Sequence, residues 1–287
     1  MVSSDKGQGK KNIPEVQTFS VPFALGVKEN IIINTSSKPS KEQIINQAFK
    51  FHSQGNITEA VKCYQEFINQ GFKDHRVFCN YGVILKNLRK LQEAELSYQK
   101  AIEIKPNYAV AHYNLGNIFK DLGKLQNAVL SYRKAIEIKP NYAEAHLNLG
   151  IILRDLGQLQ DAELSTHKAI EIKPNYAVAH YNLGIILSDL GELKEAELSY
   201  QKAIEIKPDY AEAYSNLGDT LRELGKLKES ILSFEEALNL DNSLDEAKEG
   251  LGKILLKTGK LREGILRMRE ASGSINFNYK NSNIVIN

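Results

Sequence analysis

No tryptophan occurs among the 287 residues, and there are only two cysteines, two methionines and seven prolines. Cys63 and Cys79 form no Cys-x-x-Cys pair, which excludes the zinc and dithiol motifs built on paired thiols. Two isolated thiols suit a reducing compartment, where they act as small apolar residues. An excess of either charge is missing as well. Lys and Arg number 37 against 35 Asp and Glu, a formal net charge of +2. That balance speaks against nucleic acid or a membrane surface as partner, since both favour a basic patch or stripe. The basic residues gathered at Lys248, Lys253, Lys257, Lys260 and Arg262 read as the solvated face of a terminal cap. No apolar run approaches the roughly 18 residues of a membrane span. The stretch Val21 to Val27 is short and lacks the cleavage site of a signal peptide, so the expected location is cytoplasmic.

What the chain has in abundance is itself. Lys-Ala-Ile-Glu-Ile-Lys-Pro starts at Lys100, Lys134, Lys168 and Lys202, and Asn-Leu-Gly recurs at Asn114, Asn148, Asn182 and Asn216. A fixed period of this length marks a solenoid, whose units bury their apolar faces only by stacking. Seven units follow: 41–74, 75–108, 109–142, 143–176, 177–210, 211–244 and 245–278. In unit 109–142, Ala111, Leu115, Ile118 and Phe119 share one helical face, and Gly123 supplies the positive φ of a helix end. Ala128, Tyr132 and Ala135 mark a second helix, which Pro140 stops. Asn141 with Glu144, and Asp209 with Glu212, predict capping boxes on the following helices. Residues 1–40 are polar at their start and expected to be largely disordered. Residues 272–287 form either a small β-hairpin or a frayed tail.

These units resemble the tetratricopeptide repeat (TPR). The pattern is carried by Leu115-Gly116, Phe119, Ala128, Tyr132, Ala135 and Pro140 and their copies one and two periods on. The resemblance covers residues 41–271 and implies an all-α fold, a right-handed α-solenoid of about seven stacked helical hairpins. Arg89 departs from the pattern by standing where the other units turn on glycine, and Ser230 and Gly264 depart by replacing the small alanine.

The candidate site lies on the first helix of each unit. Positions 2, 5, 6, 9, 12 and 13 form a stripe opposite the core positions, and in TPR arrays that stripe lines the concave groove. Position 6 is Asn80, Asn114, Asn148, Asn182 and Asn216. Beside this row stand Tyr113 and Tyr181, then Asn117, Ile151 and Ile185, with Lys120 and Arg154 at the rim. A side-chain amide both donates and accepts, so a row of them reads peptide backbone whatever the side chains are. The row is similar to the asparagine ladder of O-linked N-acetylglucosamine transferases, which holds substrate peptides. Copying of a repeat consensus accounts for the same row without any ligand.

Other constellations offer less. His112, His146 and His180 are a repeat apart, too far for shared zinc ligation at ~2.0–2.1 Å. Gly250-Leu251-Gly252-Lys253 lacks the spacing of a phosphate loop. The expectation is therefore a protein without catalytic residues, metal or cofactor, binding an extended peptide or partner protein. The alternatives are a substrate-recruiting arm for a separate glycosyl-, sulfo- or methyltransferase, by analogy alone, and a scaffold that self-associates through its solenoid ends.

Overall fold

The computed structural model describes residues 39–272 and the backbone of 275–278 and 283–286. The disorder expected of the first forty residues lies, Pro39 and Ser40 apart, outside the described residues. Among the described residues the chain forms fourteen helices from Lys41 onward, in seven hairpins. These are α1 (Lys41–Ser53) with α2 (Ile57–Asn69), α3 (His75–Asn87) with α4 (Leu91–Ile104), and α5 (Ala109–Asp121) with α6 (Leu125–Ile138). They continue as α7 (Ala143–Asp155) with α8 (Leu159–Ile172), α9 (Ala177–Leu190) with α10 (Leu193–Ile206), and α11 (Ala211–Glu223) with α12 (Leu227–Leu240). The last pair is α13 (Asp245–Lys257) with α14 (Leu261–Ser272). The result is an all-α solenoid of helical hairpins. Beyond it, β1 (Ile275–Asn278) pairs antiparallel with β2 (Asn283–Ile286), with Ile275 opposite Ile286.

Each hairpin turns on a residue with positive φ, because that conformation lets two backbone amides close onto the last helical carbonyls. Gly123, with φ 71°, donates to Lys120 O at 2.9 Å, and Lys124 donates to Phe119 O at 2.8 Å. Arg89 does the same at φ 61°, the one non-glycine in this region among the described residues. Inside the hairpin the helices close on a glycine. A Cβ on Gly116 would stand 2.6 Å from the Tyr132 ring, so any side chain there pushes α5 off α6. Ala111, Ile118, Ala128, Tyr132 and Ala135 have no exposed surface at all.

The capping expectation is corrected. The N-caps of α7 and α11 are Tyr142 and Tyr210, without a side-chain hydrogen bond. The tight turn after each proline leaves Asn141 and Asp209 one residue too early to reach the first helical amides. A true capping box joins Ser40 and Gln43 at α1.

First helices touch the first helices of neighbouring repeats, as α3 with α5, α7 with α9, α9 with α11 and α11 with α13. Between second helices there are instead open clefts. One of about 570 Å³ lies between α2 and α4, lined by Ile68, Phe72 and Ile104. Another of about 610 Å³ lies between α6 and α8, lined by Ile136, His146 and Leu164. The first helices thus form the inner side of the stack. None of the described helices is long and apolar enough to cross a membrane.

Candidate functional site

Position 6 of a first helix lies two residues before the glycine that packs on the second helix, about 200° around the helix from it, so its side chain emerges at the edge of the hairpin, half-buried. All five asparagines occupy this place. Asn114, Asn148 and Asn216 direct their amide hydrogens backwards, onto the preceding repeat. Asn148 Nδ2 donates to Tyr113 Oη at 3.2 Å and to Asn117 Oδ1 at 3.0 Å. Asn216 Nδ2 donates to Tyr181 Oη at 3.2 Å. Asn114 Nδ2 faces Cys79 Sγ at 3.8 Å, a weak acceptor. From repeat 109–142 onward the rule is simple: position 6 of one unit donates to position 5 of the unit before. At the first joint position 5 is Ile45, which has nothing to accept.

Two joints break it. Position 5 before Asn182 is Leu147, which is buried and has nothing to accept, so Asn182 Nδ2 turns onto the Val178 carbonyl of its own helix at 2.7 Å. Position 5 before Gly250 is Ser215, whose Oγ is buried without a hydrogen-bond partner. Both cases follow from one missing member of the pair.

The tyrosines serve the same joints. Tyr113 packs at 4.9 Å from Tyr142 and 6.0 Å from Tyr132, and Tyr181 repeats this with Tyr210 at 4.8 Å and Tyr200 at 6.0 Å, centroid to centroid. Tyr132 Oη donates to Asn117 Oδ1 at 2.8 Å. Burial pushes the phenol of Tyr132 well above its ordinary range and that of Tyr200 up to about 12, so both remain protonated donors at neutral pH. The hydroxyls of Tyr132 and Tyr200 are the members that sequence reasoning missed. The spacing showed their rings in the core, but not that the Tyr132 hydroxyl reaches Asn117 at the joint or that the Tyr200 hydroxyl meets Ser188 at 3.4 Å.

Ile151 and Ile185 are half-buried, Ile151 against the cluster that holds Leu147 and Ala179, and Ile185 against the one that holds Tyr200 and Leu217. Ile185 also lines an inner cleft of about 190 Å³ with Asn216 and Asp219. Val110 and Val178, at position 2, are open to solvent. At the rim, Arg154 Nε reaches Asp189 of the next repeat at 3.2 Å, whereas Lys120 is exposed and in no ion pair among the described residues. The structure thus brings Tyr113, Asn117 and Asn148 into one cluster and Tyr181 with Asn216 into a second. Lys120 joins neither. His112, His146 and His180 each bond through Nε2 to the carbonyl of their own Pro106, Pro140 or Pro174, at 2.9, 3.0 and 2.9 Å. Among the described residues no group of His, Cys, Asp and Glu is placed to hold a metal ion.

What remains open on the inner face is the acceptor half of each amide. Among the described residues, no hydrogen bond reaches the Oδ1 of Asn114, Asn148, Asn182 or Asn216.

Comparison with known proteins follows the same segments. A model described as TPR repeat matches residues 87–123, 116–157 and 218–259. Models described as tetratricopeptide repeat match 143–176, 177–210 and 199–231. Together they run unbroken from 87 to 259, more than half of the chain. No curated protein matches. Among solved structures, MamA is 28% identical, covering 56% of this chain and 94% of its own, with a TM-score of 0.54. YrrB, a TPR protein with an unusual peptide-binding site, is 23% identical over 69% of this chain and 98% of its own, TM-score 0.56. A tetratricopeptide repeat protein from Parabacteroides merdae is 20% identical over 84% of this chain and 94% of its own, TM-score 0.64. The last two likenesses concern the fold alone.

Proposed function

The chain belongs to the tetratricopeptide repeat family, and from that premise we propose that it is a protein–protein interaction scaffold whose inner face holds an extended segment of a partner protein. One observation carries the reading: the open row of asparagine carbonyl oxygens, spaced one repeat apart along that face. An extended peptide presents backbone N–H groups on alternating sides, and these are the donors the row lacks. Adjacent helices lie about 8–10 Å apart and an extended chain advances roughly 3.3–3.6 Å per residue. Each asparagine therefore meets about every third residue of the ligand. The amide that reads it is already oriented by its bond to the preceding repeat, which lowers the cost of ordering it on binding. Val110, Val178, Ile151 and Ile185 give apolar contact between the rungs. The function is binding, without chemistry on the ligand.

Asn182 supplies the cleanest test, because it ties no repeat to another. Peptides selected on the full chain from a random display library are titrated against the wild type and Asn182→Ala. The expected outcome is an affinity loss of about 0.5–1.5 kcal/mol with an unchanged denaturation midpoint. Equal affinity, repeated for Asn114→Ala, reduces the row to a feature copied with the repeat.

A further inference from the structure

The second helices carry a periodic feature that inner-face binding does not use. Leu96, Leu130, Leu164, Leu198, Leu232 and Leu266 stand 34 residues apart, and each is between 54% and 73% exposed. Isolated exposed leucines are ordinary, but a row at the same place on six second helices is a recurring apolar feature of the outer face. Its position explains why it faces out. Leu130 is two residues from both Ala128 and Tyr132, about 200° around the helix from each. The row is flanked by charge of opposite sign on its two sides. Three residues before the leucine come Glu93, Asp161, Glu195, Glu229 and Glu263, with Asn127 the exception. Four residues after it come Lys100, Lys134, Lys168 and Lys202.

We infer that the outer face is an interface for a second copy of this chain, with the two leucine rows in contact along a two-fold axis that runs along the row. The charges select this arrangement. A two-fold axis along the row reverses the helix direction of the other copy, so each acidic edge meets a basic edge. Lys100, Lys168 and Lys202 then face Glu93, Asp161 and Glu195 of the other copy, and the same three contacts recur in reverse, as an isologous interface requires. An axis across the row keeps the helix direction and sets acid against acid and lysine against lysine. In the free chain Lys100, Lys168 and Lys202 bond the exposed Glu103, Glu171 and Glu205 at 2.7–2.8 Å. Such surface pairs are weak and exchange readily. The complementarity extends through the repeats from 75 to 210 and is lost at Glu236 and Glu270, so those repeats set the length of the contact.

Sedimentation velocity on the full chain tests this. The wild type is expected at twice the 32.2 kDa chain mass, and Leu130→Glu/Leu164→Glu/Leu198→Glu as a monomer with unchanged helical circular dichroism. Two charge variants are expected to be monomers alone and to form a mixed dimer when combined: Lys100→Glu/Lys168→Glu/Lys202→Glu and Glu93→Lys/Asp161→Lys/Glu195→Lys. The inference is overturned by a monomeric wild type, including one that binds lipid vesicles through the row; by a dimer that survives the leucine changes; or by charge variants that stay monomeric together. Growth of mass without limit that the leucine changes leave intact points to stacking of solenoid ends, and also overturns it.

Discussion

Repeats 109–142 and 143–176 are close copies, yet each is joined to its successor differently. The first passes to the next repeat through Tyr113, Asn117, Tyr132 and Asn148, a cluster with three side-chain hydrogen bonds at 2.8–3.2 Å. The second has Leu147 and Thr166 in place of the two tyrosines, and the Thr166 hydroxyl bonds Ala162 O of its own helix. Asn182 is left to its own helix too. The outer edge varies separately. Lys124 bridges to Glu95 and Lys226 to Glu197 at two other joints. The equivalent residues after repeat 109–142 are the uncharged Val129 and Gln158, and those after repeat 143–176 are Glu163 and Glu192, two like charges. The Arg154–Asp189 ion pair persists. Identical hairpins can therefore be stacked on joints of unequal strength, and a handful of side chains decides which.

The most severe way to break this contrast is to remove the ring at each joint. Tyr132→Ala is expected to cost about 3–5 kcal/mol, from the cavity and the lost hydroxyl together, while Thr166→Ala costs under about 1 kcal/mol. Urea denaturation of the two proteins checks this, and equal losses erase the difference between the joints. The asparagines sharpen it next. Asn148→Ala removes two bonds at about 0.5–1.5 kcal/mol each, whereas Asn182→Ala leaves stability close to wild type, alanine being the better helix former. At the last joint the sign reverses. Ser215→Ala removes a buried hydroxyl that has no partner and is expected to stabilise by about 1 kcal/mol, seen as a raised midpoint. The smallest effect lies within a hairpin. Arg89→Gly relieves a side chain at φ 61° and is expected to be neutral or stabilising by up to ~1 kcal/mol; a clear loss means Arg89 is held by contacts of its own.

The hairpins were legible because their signals are local and repeated. A turn glycine, a stop proline and a 3.6-residue apolar face recur at fixed places, and even the exception at Arg89 could be located from its neighbours. The asparagine row was legible as a row, but its direction was not. Whether an amide points into a groove or back onto the previous repeat depends on what stands 35 residues earlier, and that pairing shows only once the helices are stacked. The capping expectation failed for a related reason. The turn at Pro140 and Asn141 is set by the angle between hairpins, not by the residues that spell a cap. The outer leucines carry a plain signal, two residues off the core alanine, which the high share of leucine in the real core conceals.

The untied joint at Leu147 and Asn182 also bears on how the chain responds to force. In a solenoid the stability is close to a sum of terms for each repeat and each junction, so a pull on the two ends is resisted by the junctions in series and yields at the softest. Rupture there divides the stack between repeats 143–176 and 177–210, after which each repeat that unravels releases roughly 110–120 Å of contour, 34 residues at 3.3–3.6 Å. In a single-molecule force trace, the molecule would part in its middle before its ends unwind.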